Sequence, residues 1–186
     1  MRSPSVFVAL LRAINVGGRT VKMQVLREQF EALGFARVAT VIASGNVIFE
    51  TSATEAAALE RRIEAHLLSS LGYQVATFLR TPEEMHAAAM HDAFPGTGAG
   101  ESGYALYVAF TRSAVSAAAE RALMSYRTEV DDFHVNGREV YWACRTGMGQ
   151  SVFSGARLEK ILGMPATARN ITTVRKLAAM TGADTG

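Results

Sequence analysis

Two stretches constrain this chain more than any others. Residues 5–12 read SVFVALLR and residues 104–110 read YALYVAF. On an extended backbone Val6, Val8 and Leu10 point one way, and Phe7, Ala9 and Leu11 point the other. A strand that is apolar on both sides has to be covered on both sides. A sheet built around such strands cannot leave a face to water, and the nearest cover is a second sheet or a connecting helix.

The elements around them repeat. After the first strand, Gly17 and Gly18 break the chain, and a helix is expected from about Val21, with Leu26, Phe30 and Leu33 at helical spacing and Gly34 after its end. Residues 37–42 and 47–51 read as a hairpin around Ser44-Gly45-Asn46. Thr54 is the expected cap of a helix running to about Leu71, and residues 73–80 read as a fourth strand. The order β-α-β-β-α-β is the ferredoxin-like split arrangement. Thr81-Pro82-Glu83-Glu84 then has the form of a capping box. A glycine-rich loop, PGTGAGESG over residues 95–103, is expected to be mobile.

The second half begins with the strand at 104–110 and a helix over 114–125. Two strands, 130–135 and 138–144, flank Asn136-Gly137, a dipeptide that favours a type I′ hairpin turn. Helices are expected over 155–162 and 167–180, the last standing where a fourth strand would otherwise be. The expected fold is therefore α/β (α+β): two tandem ferredoxin-like (alpha-beta plait) units, residues 1–80 and 81–186, the second modified by a C-terminal helix.

Composition narrows the function classes. Of the 186 residues 49% are hydrophobic and 19% charged, enough apolar material for a sizeable core. The net charge is +2 and the isoelectric point about 8.9, well short of the bias of a dedicated DNA-binding protein. One cysteine, Cys144, permits no internal disulfide and favours a reducing, cytoplasmic setting. No stretch approaches a membrane span or a signal peptide.

Three regions draw attention as candidate binding elements. In the first loop, backbone N–H groups at Gly17 and Gly18 can cradle an anion, with Arg12, Arg19 and Lys22 adding charge and Asn15 a side-chain amide. Its spacing is neither a P-loop nor a dinucleotide fingerprint, and the simple alternative is a turn that uses glycine for positive φ. Ser44, Gly45 and Asn46 form a polar hairpin tip. Near the C-terminus Arg169, Thr172, Thr173 and Lys176 lie opposite the apolar stripe Ile171, Val174, Leu177 and Ala178, with Thr167 as N-cap. His66, His86, His91 and His134 show no metal-ligand spacing. Cys144 reads as a small buried hydrophobe, and there is no G-x-S-x-G nucleophile motif. The third strand lacks the aromatic pattern of an RNA-binding sheet.

Three distant motifs carry a family resemblance. FVALLRAINVGG with Lys22 and Met23 behind it, ASGNVIFE and TARNITTVRKLAAM resemble the bacterial family called domain of unknown function 1697, and they stand at the expected places across nearly the whole chain. The resemblance implies two ferredoxin-like units and no established activity. The positions it carries over are Arg12, Asn15, Gly17, Gly18, Ser44, Gly45, Asn46, Thr167, Arg169 and Asn170. Two departures stand out. The family usually has glycine where this chain has Ala13, which asks for negative φ there and leaves the turn to Gly17 and Gly18. Ile171 and Thr172 replace the tryptophan and second asparagine of R-N-W-N-T-V, which argues against base stacking at that point.

The leading expectation is a non-catalytic module that binds an anionic small molecule, a nucleotide, or a short nucleic-acid segment. Its site would be a cleft joining Arg12, Asn15, Gly17, Gly18, Lys22, Ser44, Gly45 and Asn46 to Thr167, Arg169, Asn170 and Lys176. No metal, cofactor, catalytic residue or membrane partner is indicated, and the oligomeric state is left open. The alternatives are an enzyme on a small phosphorylated or acidic substrate in the same cleft, and motifs that only fix turns.

Overall fold

The computed structural model describes residues 4–15, 17–18, 20–42, 45–101, 104–146 and 151–182. Ser44 and Arg19 lie outside the described residues. The chain divides into one unit of Met1–His86 with Leu177–Gly186 and a second of Ala87–Lys176.

In the first unit β1 (Ser5–Leu11), α1 (Met23–Ala32), β2 (Ala36–Val41), β3 (Asn46–Thr51), α2 (Ala56–Leu71) and β4 (Thr77–Arg80) build a four-stranded antiparallel sheet of order β2-β3-β1-β4. Phe7, Ala9 and Leu11 of β1 share a core with Val47, Phe49 and Leu79, closed by Leu26 and Phe30 of α1 and Leu59, Ile63 and Leu67 of α2. Phe49 sits at its centre, 4.3 Å from the Phe35 ring and 5.5 Å from that of Phe30. Fully burying one such ring contributes about 1.5–3 kcal/mol. Val8, Leu10, Phe78 and Arg80, on the other face, are also fully buried. The double covering expected of the first strand is therefore present.

β4 is an edge strand, and its free amides have partners. Leu79 N–H donates to Glu60 Oε1 (2.9 Å) and Thr77 N–H to Glu64 Oε1 (2.8 Å), both carboxylates reaching across from α2. The helix start at Thr54 does not occur: Glu55 is the residue before α2, without a side-chain cap bond. Thr81 does cap α3 (Pro82–Met90). Its Oγ1 accepts from Glu84 N–H at 3.3 Å, and Glu84 Oε2 accepts from Thr81 N–H at 2.9 Å.

The second unit repeats the pattern with β5 (Ala105–Phe110), α4 (Ala117–Met124), β6 (Asp131–Asn136), β7 (Glu139–Cys144), α5 (Gly155–Leu162) and β8 (Thr167–Asn170), in sheet order β6-β7-β5-β8. β8 corrects the sequence reading. Residues 167–170 are not the first turn of the last helix; they pair antiparallel with Tyr107–Phe110, and α6 (Ile171–Gly182) begins only after them. The apolar stripe that suggested a longer helix starts at Ile171, and four residues of strand carry no period of their own. A glutamate of the preceding helix also holds the residue before the last strand: Ala166 N–H donates to Glu159 Oε1 at 2.9 Å.

Trp142, Phe133, Phe153, Leu123 and Leu158 lead the core on one face of this sheet. The other face is covered in part by the end of α3, where Tyr141 Oη donates to Ala88 O at 3.0 Å. The β6–β7 turn also differs from expectation. Asn136 still pairs with Glu139, so the two-residue loop is Gly137-Arg138, and Gly137 alone of the two has positive φ (62°). That is the II′ pattern, with glycine first, in place of I′. Over residues 95–101 the glycine-rich loop is a run of tight turns, with positive φ at Gly96, Gly98 and Gly100, and Gly100 N–H donates to Tyr104 O (2.7 Å).

Candidate functional site

The residues singled out in the first unit are tied into its own backbone. Leu11 N–H donates to Gly45 O and Arg12 N–H to Ala76 O, both at 2.8 Å. Tyr73 Oη donates to Ile14 O (3.0 Å), and Asn15 Oδ1 accepts from Val21 N–H (2.7 Å), closing the loop that Gly17 and Gly18 turn at φ 64° and 79°. Arg12, Gly17, Gly18 and Lys22 are exposed. Ala13 contradicts its expected negative φ: it lies at φ 57°, in the left-handed region. Asn46 does not present its amide to a ligand. It is fully buried, and its Nδ2 donates to Val41 O at 3.0 Å, locking the β2–β3 hairpin. Gly45 is required by space as well as by φ, because a Cβ there would stand 2.7 Å from Ile14 Cγ2.

In the second unit the expected cationic helix face is not formed as drawn. Thr167 is not an N-cap; its Oγ1 accepts from Arg169 Nη1 at 2.8 Å inside the sheet. Arg169 is buried and also donates to Ala168 O at 2.9 Å, and burial lowers its pKa to about 10, still charged at neutral pH. Arg80 holds the matching position in the first unit, facing Val8 as Arg169 faces Val108, and likewise donates to the carbonyl before it. Lys176 is exposed on α6. Asn170 is the residue that caps α6, with Oδ1 accepting from Thr172 N–H at 2.9 Å.

Asn170 also lines a cavity of about 510 Å³ at one end of the second sheet, together with Glu101, Tyr104, Arg145, Thr146, Ile171 and Thr172. The ladder assembles it. Ala105 pairs with Cys144 and Tyr107 with Asn170, so Tyr104 and Arg145, each one residue beyond a paired position, meet beside the start of α6. The Arg145 guanidinium carbon stands 4.5 Å from the Tyr104 ring centre. Gly100 lets the loop approach closely, since a Cβ there would lie 3.2 Å from Ile171 Cγ2. Sequence reasoning missed Arg145, Tyr104 and Thr146. Their signal was positional: polar residues just past the ends of adjacent strands.

A second cavity of about 240 Å³ is lined by His91, Asp92, Phe94 and Arg175 among others. His91 Nε2 is 3.0 Å from His134 Nε2. Burial first, then the charge of His91, holds His134 below the usual imidazole range. His66 instead bonds Gln29 Oε1 at 3.0 Å. Cys144 is fully buried, as a small hydrophobe should be. Asp131 is nearly buried, accepting from Trp142 Nε1 and Ser151 Oγ at 2.7 Å each.

The family model described as "Protein of unknown function (DUF1697)" matches residues 5–141. No curated protein matches the chain. Among solved structures, the conserved bacterial protein SP0830 from Streptococcus pneumoniae is similar, with a TM-score of 0.71 at 20% identity over 96% of this chain and 99% of that one. At that identity the likeness speaks for the mixed α/β fold. Among the described residues no helix is long and apolar enough to cross a membrane.

Proposed function

We propose, for a chain that belongs to the DUF1697 family of proteins of unknown function, that it is a non-catalytic binding module for an anionic ligand of the nucleotide class. The ligand sits in the second unit's cavity. We read each unit as a ferredoxin-like plait, supported by its β-α-β-β-α-β order and by strand order β4-β1-β3-β2 with its counterpart β8-β5-β7-β6.

The observation that carries the functional reading is the meeting of Arg145 with the capped start of α6. A helix N-terminus favours negative charge, and a guanidinium offers paired donors to a phosphate. Asn170 Oδ1 is occupied by Thr172 N–H, which turns its amide nitrogen to the role of donor. Tyr104 supplies an aromatic surface, and Glu101 an acceptor for ligand hydroxyl or amino groups. A volume of about 510 Å³ is of the size that encloses a small molecule.

Thermal shift and calorimetry against ATP, GTP, AMP and inorganic phosphate test the reading. At least one nucleotide should bind and raise the melting temperature. Arg145→Ala should weaken that binding by about ten- to a hundredfold, the scale of one charge-assisted contact. Nucleotide binding untouched by Arg145→Ala, or no binding by the whole panel, overturns the proposal. A steep salt dependence with an oligonucleotide would move the ligand to short single strands.

A further inference from the structure

His91 and His134 come from elements far apart in the chain. His91 follows the last residue of α3, its N–H bonded to Ala87 O at 3.0 Å. His134 lies on β6 opposite Tyr141 of β7. The Tyr141 ring is 4.9 Å from that of His91 and 6.2 Å from that of His134, and Phe94 meets His134 edge-on. Two imidazoles are thus held by a helix end and a strand, with aromatic rings around them and their Nε2 atoms 3.0 Å apart.

We propose that His91 and His134 are adjacent ligands of a mononuclear site for a divalent transition-metal cation of the zinc and copper class, with water completing its coordination. Bonds of roughly 2.0–2.1 Å from one metal, between about 90° and 110° apart, put two imidazole nitrogens about 2.9–3.4 Å from each other. The observed separation lies in that window. Imidazole nitrogen selects zinc, copper and nickel over magnesium and calcium, which prefer oxygen. The charged groups near His134 are Glu120 and Asp132, which favour a cation, and Arg127, which opposes it. Asp92 and Arg175 line the adjacent cavity with His91. Among the described residues no three His, Cys, Asp or Glu side chains gather at one point. The site therefore has two protein ligands, exchanges its ion readily, and leaves positions open for water. Without metal the same nitrogens share one proton in an N–H···N bond.

Calorimetric titration with Zn²⁺ and Cu²⁺, and electron paramagnetic resonance of the copper-loaded protein, test the proposal. One ion should bind per chain, with two imidazole nitrogens coupled to copper and no response to Mg²⁺. His91→Gln and His134→Gln should each weaken binding by at least about tenfold, whereas His86→Gln should bind as the parent does. No saturable binding overturns the site, as does binding that survives the double variant or a copper spectrum with fewer than two imidazoles. The spectrum of the unaltered protein decides the matter even where a variant fails to fold.

Discussion

Replacing Asp131 with alanine should destabilise the second unit by about 3 kcal/mol. The carboxylate is 2% exposed and accepts from Trp142 Nε1 and Ser151 Oγ at 2.7 Å each. A hydrogen bond to a charged group contributes about 1.5–3 kcal/mol, and a buried donor left without a partner bears the full desolvation penalty. The indole is 1% exposed and cannot turn to water, so most of the loss falls there; half-buried Ser151 can rehydrate. Relief from burying a charge offsets part of the sum. Asp131→Asn separates charge from bonding. Its Oδ1 still accepts from the indole, and its Nδ2 can donate to Ser151 Oγ, which keeps one lone pair for Phe153 N–H. That variant should lose about 1 kcal/mol or less. The chain's one tryptophan is Trp142 itself, so fluorescence during urea unfolding reports this unit directly. At a typical slope of about 1–3 kcal/mol per molar urea, alanine should lower the midpoint by about 1–3 M. A loss below about 1 kcal/mol for alanine, or equal losses for alanine and asparagine, would refute the reasoning.

Two further outcomes follow from the geometry. Ala13 sits at φ 57°, where an L-residue costs about 1–2 kcal/mol. Ala13→Gly should therefore stabilise by about 0.5–1 kcal/mol after the extra entropy of unfolded glycine, while branched Ala13→Val should destabilise; melting curves that move the same way for both contradict this. Burial, then the charge of Glu139, raises the Tyr141 phenol above its usual value of 10. Its contribution to stability is full below pH 10 and is lost as pH rises through 10 toward the folded value. Denaturation against pH should show that alkaline decline in the parent and lose part of it in Tyr141→Phe; an unchanged decline rules the account out.

What could be read from sequence was what local chemistry dictates. Consecutive apolar residues marked β1 and β5 as strands covered on both faces, and Thr81 with Glu84 spelled out a helix start. Thr167–Asn170 escaped because pairing with β5, not composition, makes it a strand. The same ladder sets the candidate site: nothing local to Tyr104 or Arg145 says they meet, and the register of Ala105 on Cys144 does. Asn46 misled for the opposite reason. Polar residues in a turn motif look available, yet its amide is spent on Val41. Arg169 looked like a surface cation and is a buried guanidinium bonded within its own strand.

The glutamates that reach from α2 onto β4 have a consequence beyond their own bonds. A sheet border normally invites any passing extended peptide to add itself, the route to runaway polymers. Here amide hydrogens that would recruit such a visitor are already engaged, by Glu60 and Glu64 along β4 of the first sheet and by Glu159 at Ala166, just ahead of β8 of the second. Growth by strand addition is thus discouraged along β4 and at the entry to β8, while β2 and β6 form the remaining edges of the two sheets.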